Sequence, residues 1–140
     1  MGIGAPCMGY LHAQKRQSRQ ADQLGSRVHT LSEVFTETAT DAAGVGYMLA
    51  RLPRGDAPVL WVQDRLSRLE TGRPYLAGLG VTRPLVMVNL SRAVDVLWAM
   101  EDGLRCRALG AVVGEIWGDP AALDFTATKR LALRSETAGV

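Results

Sequence analysis

The stretch PLVMVNLSRAVDVLWAMEDGLRCRALGAVVGEI, residues 84–116, holds two short apolar runs on either side of a segment with helical spacing. Both runs, Pro84–Asn89 and Leu109–Ile116, are typical of strands that are buried on both faces. Between them, four apolar residues recur at spacings that place them on or near one helical face: Val94, Leu97, Trp98 and Leu104. A buried strand, a helix and a second buried strand in this order predict a parallel sheet covered by helices.

The flanking sequence extends this pattern in both directions. The stretch 57–62 reads as a further strand, residues 42–52 as a helix before it, and residues from Val28 to Phe35 as an extended segment. Residues 64–80 read as an Arg-rich loop. Ser91 is expected to cap the helix that ends near Arg107, and Thr126 to cap a last helix through Thr137. The predicted class is α/β, with a mostly parallel sheet and right-handed crossovers.

The composition of the chain is that of a globular protein. The chain has 140 residues, of which 47% are apolar and 21% charged, which is typical of one globular domain. Apolar runs are far shorter than the roughly 18–20 residues that span a bilayer, so no transmembrane helix is predicted. Two cysteines are too few for a disulfide scaffold, and we expect a cytoplasmic protein. Glycines and Pro6 interrupt the start of the chain, and residues 12–23 are polar with three basic side chains, so residues 1–24 predict a flexible arm and residues 25–140 the α/β domain.

A phosphate-binding loop would follow the first strand. Such a loop needs glycines whose N–H groups surround phosphate, and a lysine for the terminal phosphates. Here the loop has no lysine and no glycine before Gly44, and its acidic residues would repel a triphosphate. The degenerate positions are Thr36, Glu37, Asp41, Ala42 and Ala43. The sequence therefore predicts a non-catalytic protein without a nucleotide cofactor.

Other candidate residues follow the later strands. Glu115, near the end of an apolar strand, resembles the magnesium-holding acid of a Walker B strand, and a structural acid that caps a loop is an equal alternative. Asp64 could orient a water or form a surface ion pair with Arg65 or Arg68. Four arginines could form a rim for a nucleic acid or a protein partner: Arg65, Arg68, Arg73 and Arg92.

The histidines are not predicted to bind a metal, nor the tryptophans to stack on bases. His12 and His29 lack partners at metal-ligand spacing, so no metal is expected. The tryptophans Trp61, Trp98 and Trp117 are interpreted as core or groove-wall residues rather than as platforms for bases.

Several strings, in their order and spacing, resemble the ImuA family over about residues 25–140. They are PVLWVQDR (58–65), ETGRPY (70–75), DVLWAMEDGLRC (95–106), AVVGEIWGDP (111–120) and LDFTATKRLA (123–132). The family comprises RecA-like accessory proteins of bacterial mutagenic translesion synthesis, related also to the cell-division inhibitor SulA. The resemblance implies a RecA-like three-layer core with Gln63 and Asp64 in place of the catalytic glutamate, and a sheet that is truncated at the C-terminus.

The resemblance also implies a role. We expect an accessory protein of SOS-induced, error-prone translesion DNA synthesis that binds an inactive Y-family polymerase homologue and an error-prone replicative polymerase. RecA is a further candidate partner, and contact with DNA would be weak or indirect. Two alternatives remain open: a RecA-type ATP-dependent DNA-binding protein, and a SulA-like inhibitor of cell division.

Overall fold

The computed structural model describes residues 8–14, 31–38, 41–52, 55–75, 77 and 82–138. The strands are β1 (Met8–Gln14), β2 (Leu31–Thr36), β3 (Val59–Asp64), β4 (Leu85–Leu90) and β5 (Ala111–Trp117), and the helices are α1 (Ala43–Ala50), α2 (Arg65–Glu70), α3 (Ala93–Arg105) and α4 (Phe125–Thr137). The predicted α/β class is confirmed, since strands alternate with helices from β2 to α4.

One five-stranded sheet has the order β2-β1-β5-β3-β4. Strand β3 pairs in parallel with both β4 and β5, and β1 is antiparallel to both of its neighbours, β2 and β5. Four strands, β2 to β5, therefore run in one direction, so their carboxyl ends meet at one edge of the sheet. We call this the carboxyl edge and the opposite one the amino edge.

Helices cover both faces of β3 and β5. On one face, α3 and α4 bury a cluster built on Leu97, Met100 and Leu131 against strand residues such as Val112. On the other face, α1 packs over Trp61 and its strand neighbours. Because alternate residues of a strand point to opposite faces, burial on both sides explains why β3 and β5 read as continuous apolar runs.

Helix α3 approaches β5 closely because two glycines leave room. A side chain at Gly114 of β5 would collide with the sulfur of Met100, which is fully buried on α3. A Cβ at Gly103 of α3 would lie 2.5 Å from Cδ2 of Leu60. The absent side chains thus set the distance between this helix and the sheet.

The N-terminal segment departs from the prediction. Residues 1–24 were expected to form a flexible arm, but Met8–Gln14 forms β1 inside the sheet, and the rest of that segment lies outside the described residues. Gly9, His12 and Gln14 make the strand pattern weak. Pairing with β2 on one side and β5 on the other compensates, because it satisfies the backbone groups of β1 in both directions.

Three local expectations were also wrong. The predicted loop over residues 64–80 begins with α2. Arg92, not Ser91, is the N-cap residue of α3, and it makes no side-chain capping bond. Asp124 rather than Thr126 caps α4, because its carboxylate accepts a 2.7 Å hydrogen bond from the Ala127 N–H.

Candidate functional site at the carboxyl edge

A buried carboxylate lies near the end of β5. Glu115 is 1% exposed, and Oε2 accepts hydrogen bonds from Trp61 Nε1 at 2.9 Å and from Gln63 Nε2 at 2.8 Å. Its other oxygen, Oε1, lies 2.7 Å from the donor Thr71 Oγ1. We call these four residues the Glu115 cluster. The cluster joins β5, β3 and the segment after α2 through one acid.

Strand register brings the cluster together. Gln63 of β3 is the partner of Glu115 of β5 in the parallel ladder, and Trp61 lies two residues earlier on the same face. Thr71 is the C-cap residue of α2. The chain then turns at Gly72, where a φ of 76° favours glycine, and the Gly72 carbonyl accepts a 2.8 Å hydrogen bond from Gln63 Nε2.

The cluster leaves the acid little capacity for a metal ion. An ionised carboxylate has about four acceptor positions, and three donors already lie within hydrogen-bond distance of Glu115. No group of three or more metal-ligating side chains occurs within the ranges the structure describes. In this arrangement the Glu115 carboxylate links β3, β5 and the segment after α2 by hydrogen bonds. This corresponds to the structural acid that the sequence offered as the alternative to a magnesium-holding acid.

Asp64 makes a second connection at the same edge. Its carboxylate is 6% exposed; one oxygen accepts from the Ser67 N–H at 2.7 Å and the other from the Trp117 N–H at 3.0 Å. It is therefore the N-cap of α2 and also holds the end of β5. The expected surface ion pair with Arg65 or Arg68 was wrong, since both oxygens of Asp64 bind backbone N–H groups.

The phosphate-loop position lies at the end of β2 and the start of α1. Thr36 is buried, Glu37 is exposed, and Ala42 is the N-cap residue of α1 with no side-chain cap. Asp41 Oδ1 accepts a 2.9 Å hydrogen bond from the Ala43 N–H. One N–H group at the helix start, where a phosphate would bind, thus already faces a carboxylate.

Strand β1 separates this position from the Glu115 cluster. Thr36 is paired with Met8, and Met8 is paired with Trp117. Strands lie about 4.8 Å apart in a sheet, so β2 and β5 are roughly 10 Å apart. The structure thus places the degenerate phosphate loop and Glu115 at one edge but two strands apart.

The four predicted rim arginines all lie at the carboxyl edge. Arg65 and Arg68 are on α2, Arg73 follows it, and Arg92 precedes α3. Six acidic residues of the described chain lie at the same edge: Glu37, Asp41, Glu70, Asp95, Asp119 and Asp124. This edge is therefore not a predominantly basic surface.

Arg92 already has a partner at that edge. Its guanidinium lies 2.7 Å from Asp95 and contacts both carboxylate oxygens. The hydrogen bond from Arg92 holds the pKa of Asp95 below its ordinary value, and the same bond raises the pKa of Arg92. Both groups are on the surface, where such a pair adds little to stability.

Some polar atoms at this edge are buried without a hydrogen-bond partner. They are Thr36 Oγ1, Gln63 Oε1 and Ser67 Oγ.

The tryptophans differ in their exposure to solvent. Trp61 is fully buried, as predicted, whereas Trp98 is 58% exposed on α3. Of the two predicted alternatives for Trp98, core or groove wall, the structure excludes the core, because the buried residues of α3 include Val96, Leu97 and Met100.

Sequence reasoning missed the joint role of Trp61, Gln63 and Thr71. Their distance from Glu115 in the chain is 44 or more residues, so no local motif connects them. The capping role of Asp64 did have a local signal. An aspartate directly before a polar helical segment is a common N-cap, and Ser67 supplies the third N–H after it.

No model of a protein family, no curated protein and no solved structure matches this chain. The resemblance to the ImuA family therefore stays a prediction from the sequence. Within the part of the chain that the structure describes, no helix has both the length and the hydropathy needed to cross a membrane.

Proposed function

We propose that this chain is a non-catalytic, RecA-like interaction module of error-prone translesion DNA synthesis. The observation that carries the non-catalytic part is the Glu115 cluster. An acid that holds magnesium needs free lone pairs beside a bound phosphate, but here three protein donors converge on a carboxylate that is 1% exposed. Its surroundings suit a structural acid.

The start of α1 also supports a non-catalytic protein. Phosphate-binding loops present free N–H groups and a lysine to the phosphates. Asp41 accepts from one of those N–H groups, and no lysine lies between β2 and α1. A triphosphate at this position would meet a carboxylate instead of a cation, so ATP-dependent activity is the weaker alternative.

The carboxyl edge offers a surface for a protein partner. Leu66 and Leu69 of α2 are 51% and 66% exposed, and Tyr75 beyond the helix is 75% exposed. Arg65 and Arg68 lie on the same short helix. Apolar and aromatic side chains next to arginines are typical of the central part of protein interfaces. We assign this surface to the inactive Y-family polymerase homologue, on the basis of the family resemblance.

A pull-down tests the proposal. The inactive polymerase homologue from the same organism is the bait, with RecA and the tubulin-like division protein as comparison baits. We expect the wild-type chain to be retained by the polymerase homologue, and Leu66→Asp/Leu69→Asp to lose most of that retention. The matched control is Trp98→Asp/Leu133→Asp, which introduces the same two charges at exposed apolar residues of α3 and α4. Retention by the division protein alone, or equal retention of all variants, contradicts the proposal.

A further inference from the structure

The described charges divide unevenly between the two edges of the sheet. Six exposed or half-buried acids accompany four arginines at the carboxyl edge, as described above. At the amino edge the balance is reversed, with five arginines against three acids. These residues are Arg51, Arg83, Arg105, Arg107, Arg134, Asp56, Asp102 and Glu136. An anion would therefore meet a more favourable potential at the amino edge.

Three of those arginines line one concavity. A cavity of about 270 Å³ lies between the C-terminal ends of α3 and α4, lined by Leu104, Arg105, Arg107, Arg134, Thr137 and Ala138. We call it the amino-edge pocket. Leu104 is 1% exposed and supplies an apolar wall, whereas all three arginines are exposed.

The arginines of this pocket have little compensating charge. Arg105 pairs with Asp102 at 3.2 Å, and both side chains are more than half exposed. Within the described residues, no ion pair involves Arg107 or Arg134. Of the three guanidinium groups, only that of Arg105 is paired with a carboxylate within the described residues. Arginine is suited to phosphate because its planar group donates two parallel hydrogen bonds.

Helix C-termini ordinarily repel anions, since their last carbonyl groups carry partial negative charge. Here two of those carbonyls already accept hydrogen bonds. The Cys106 N–H donates to the Gly103 carbonyl, and the Ala138 N–H donates to the Arg134 carbonyl. This reduces the repulsion that a phosphate would meet.

We propose that the amino-edge pocket binds a phosphate group through Arg105, Arg107 and Arg134. The site is separate from the Glu115 cluster and from the partner surface on α2, which lie at the opposite edge. The proposal does not depend on the translesion role. A free phosphorylated molecule and the backbone of a nucleic acid both supply this chemistry, and the experiment distinguishes them.

The test is an NMR titration of the full chain at constant ionic strength, first with pyrophosphate and then with a short oligothymidylate. We expect saturable shifts of backbone amides in residues 104–107 and 134–138. The variant Arg107→Ala/Arg134→Ala should weaken binding by about tenfold or more, because two charge-assisted contacts are lost. The matched control, Arg51→Ala/Lys129→Ala, removes the same charge at two exposed positions outside the pocket and outside the α2 surface, and should leave the affinity within about twofold.

The result separates the two phosphate sources. Binding of pyrophosphate without gain from the oligonucleotide identifies a small ligand, and tighter binding of the oligonucleotide identifies a nucleic-acid backbone. In the second case log K should fall with log salt by about 0.7 per phosphate contact. Absence of saturable shifts overturns the proposal. So does unchanged affinity in Arg107→Ala/Arg134→Ala alongside a lower melting temperature, since the arginines would then only stabilise the helix ends.

Discussion

At the scale of the residue, Glu115 is the side chain whose replacement should discriminate most sharply between structural and catalytic roles. Glu115→Ala leaves the buried Trp61 N–H and one N–H of the Gln63 amide without an acceptor, whereas the Thr71 hydroxyl keeps the Ser67 carbonyl, so we expect a loss of about 2–4 kcal/mol in the free energy of unfolding. Glu115→Gln retains an oxygen for Trp61 and Gln63. Its amide can donate to Thr71 Oγ1, whose own hydrogen can go to the Ser67 carbonyl 2.8 Å away.

Urea denaturation followed by tryptophan fluorescence measures both variants. The glutamine variant should lose only about 1 kcal/mol, since one charge-assisted set of bonds becomes neutral. An equal loss in the two variants would contradict the hydrogen-bond explanation, because it would mean that the negative charge itself is required.

Asp95 should make a pH-dependent contribution. Its pKa is held below the ordinary value of 3.8, mainly by the hydrogen bond from Arg92. A group with a lowered pKa contributes stability that is full above its ordinary value and is lost as the pH falls through the lowered one. The stability difference between wild type and Asp95→Asn should therefore shrink below about pH 4.

Urea midpoints at several pH values test this expectation, together with an NMR titration of the Asp95 carboxyl carbon. In Arg92→Ala the pKa of Asp95 should rise towards its ordinary value. A pKa that is the same in both proteins would show that Arg92 is not the cause of the shift.

At the scale of the element, the distance between α3 and β5 depends on glycine. Gly114→Ala should destabilise the protein by about 1–3 kcal/mol, because the new methyl group collides with the buried Met100 side chain. The matched control is Gly46→Ala on α1, where a Cβ has no neighbour within 4 Å. That change should stabilise the protein by about 0.5–1 kcal/mol, since alanine is the better helix former.

A double-mutant cycle adds a direct check of the contact. In a Met100→Ala background, Gly114→Ala should cost much less, because the sulfur that obstructs the methyl group is gone. Additive effects of the two substitutions in thermal or urea unfolding would place the cause elsewhere than in the contact between α3 and β5.

Elements with a strong periodic signal were predictable from the sequence. The apolar runs of β3, β4 and β5 and the helical spacing of α3 and α4 gave the α/β class, because burial on one or two faces leaves a direct pattern. Strand β1 could not be predicted in this way. Its residues Gly9, His12 and Gln14 give no alternation, and its pairing depends on strands distant in the sequence.

The candidate site was predictable only in part. Glu115 stood out because an acid ended an apolar strand, but its three donors come from β3 and from the end of α2. The four arginines that were predicted to form a rim all lie at the carboxyl edge. The sequence did not predict that Arg92 pairs with Asp95, or that acidic residues lie at the same edge as the arginines. Both depend on the three-dimensional arrangement of the loops, which composition does not reveal.

At the scale of the whole molecule, β1 is the strand that connects β2 to the rest of the sheet. A chain that begins at residue 15 should lose its cooperative unfolding transition, because β2 and β5 lose their partner along six and seven residue positions. Leu11→Pro should have a similar effect in the full-length chain, since proline cannot donate to the ladder. Leu11→Ala is the matched control.

Thermal unfolding followed by circular dichroism measures these chains. If residues 1–24 were instead a flexible arm, the truncated chain and Leu11→Pro would unfold at the wild-type temperature. That outcome would contradict the sheet order and restore the expectation from the sequence.

We propose that Glu115, near the end of β5, stabilises the fold and takes no part in nucleotide chemistry. Isothermal titration calorimetry of the full chain with magnesium-ATP tests it most directly. We expect no saturable heat up to millimolar ATP, both for the wild type and for Glu115→Gln. Saturable binding that Glu115→Gln abolishes, with the variant still folded, would contradict the claim and assign Glu115 to a nucleotide site.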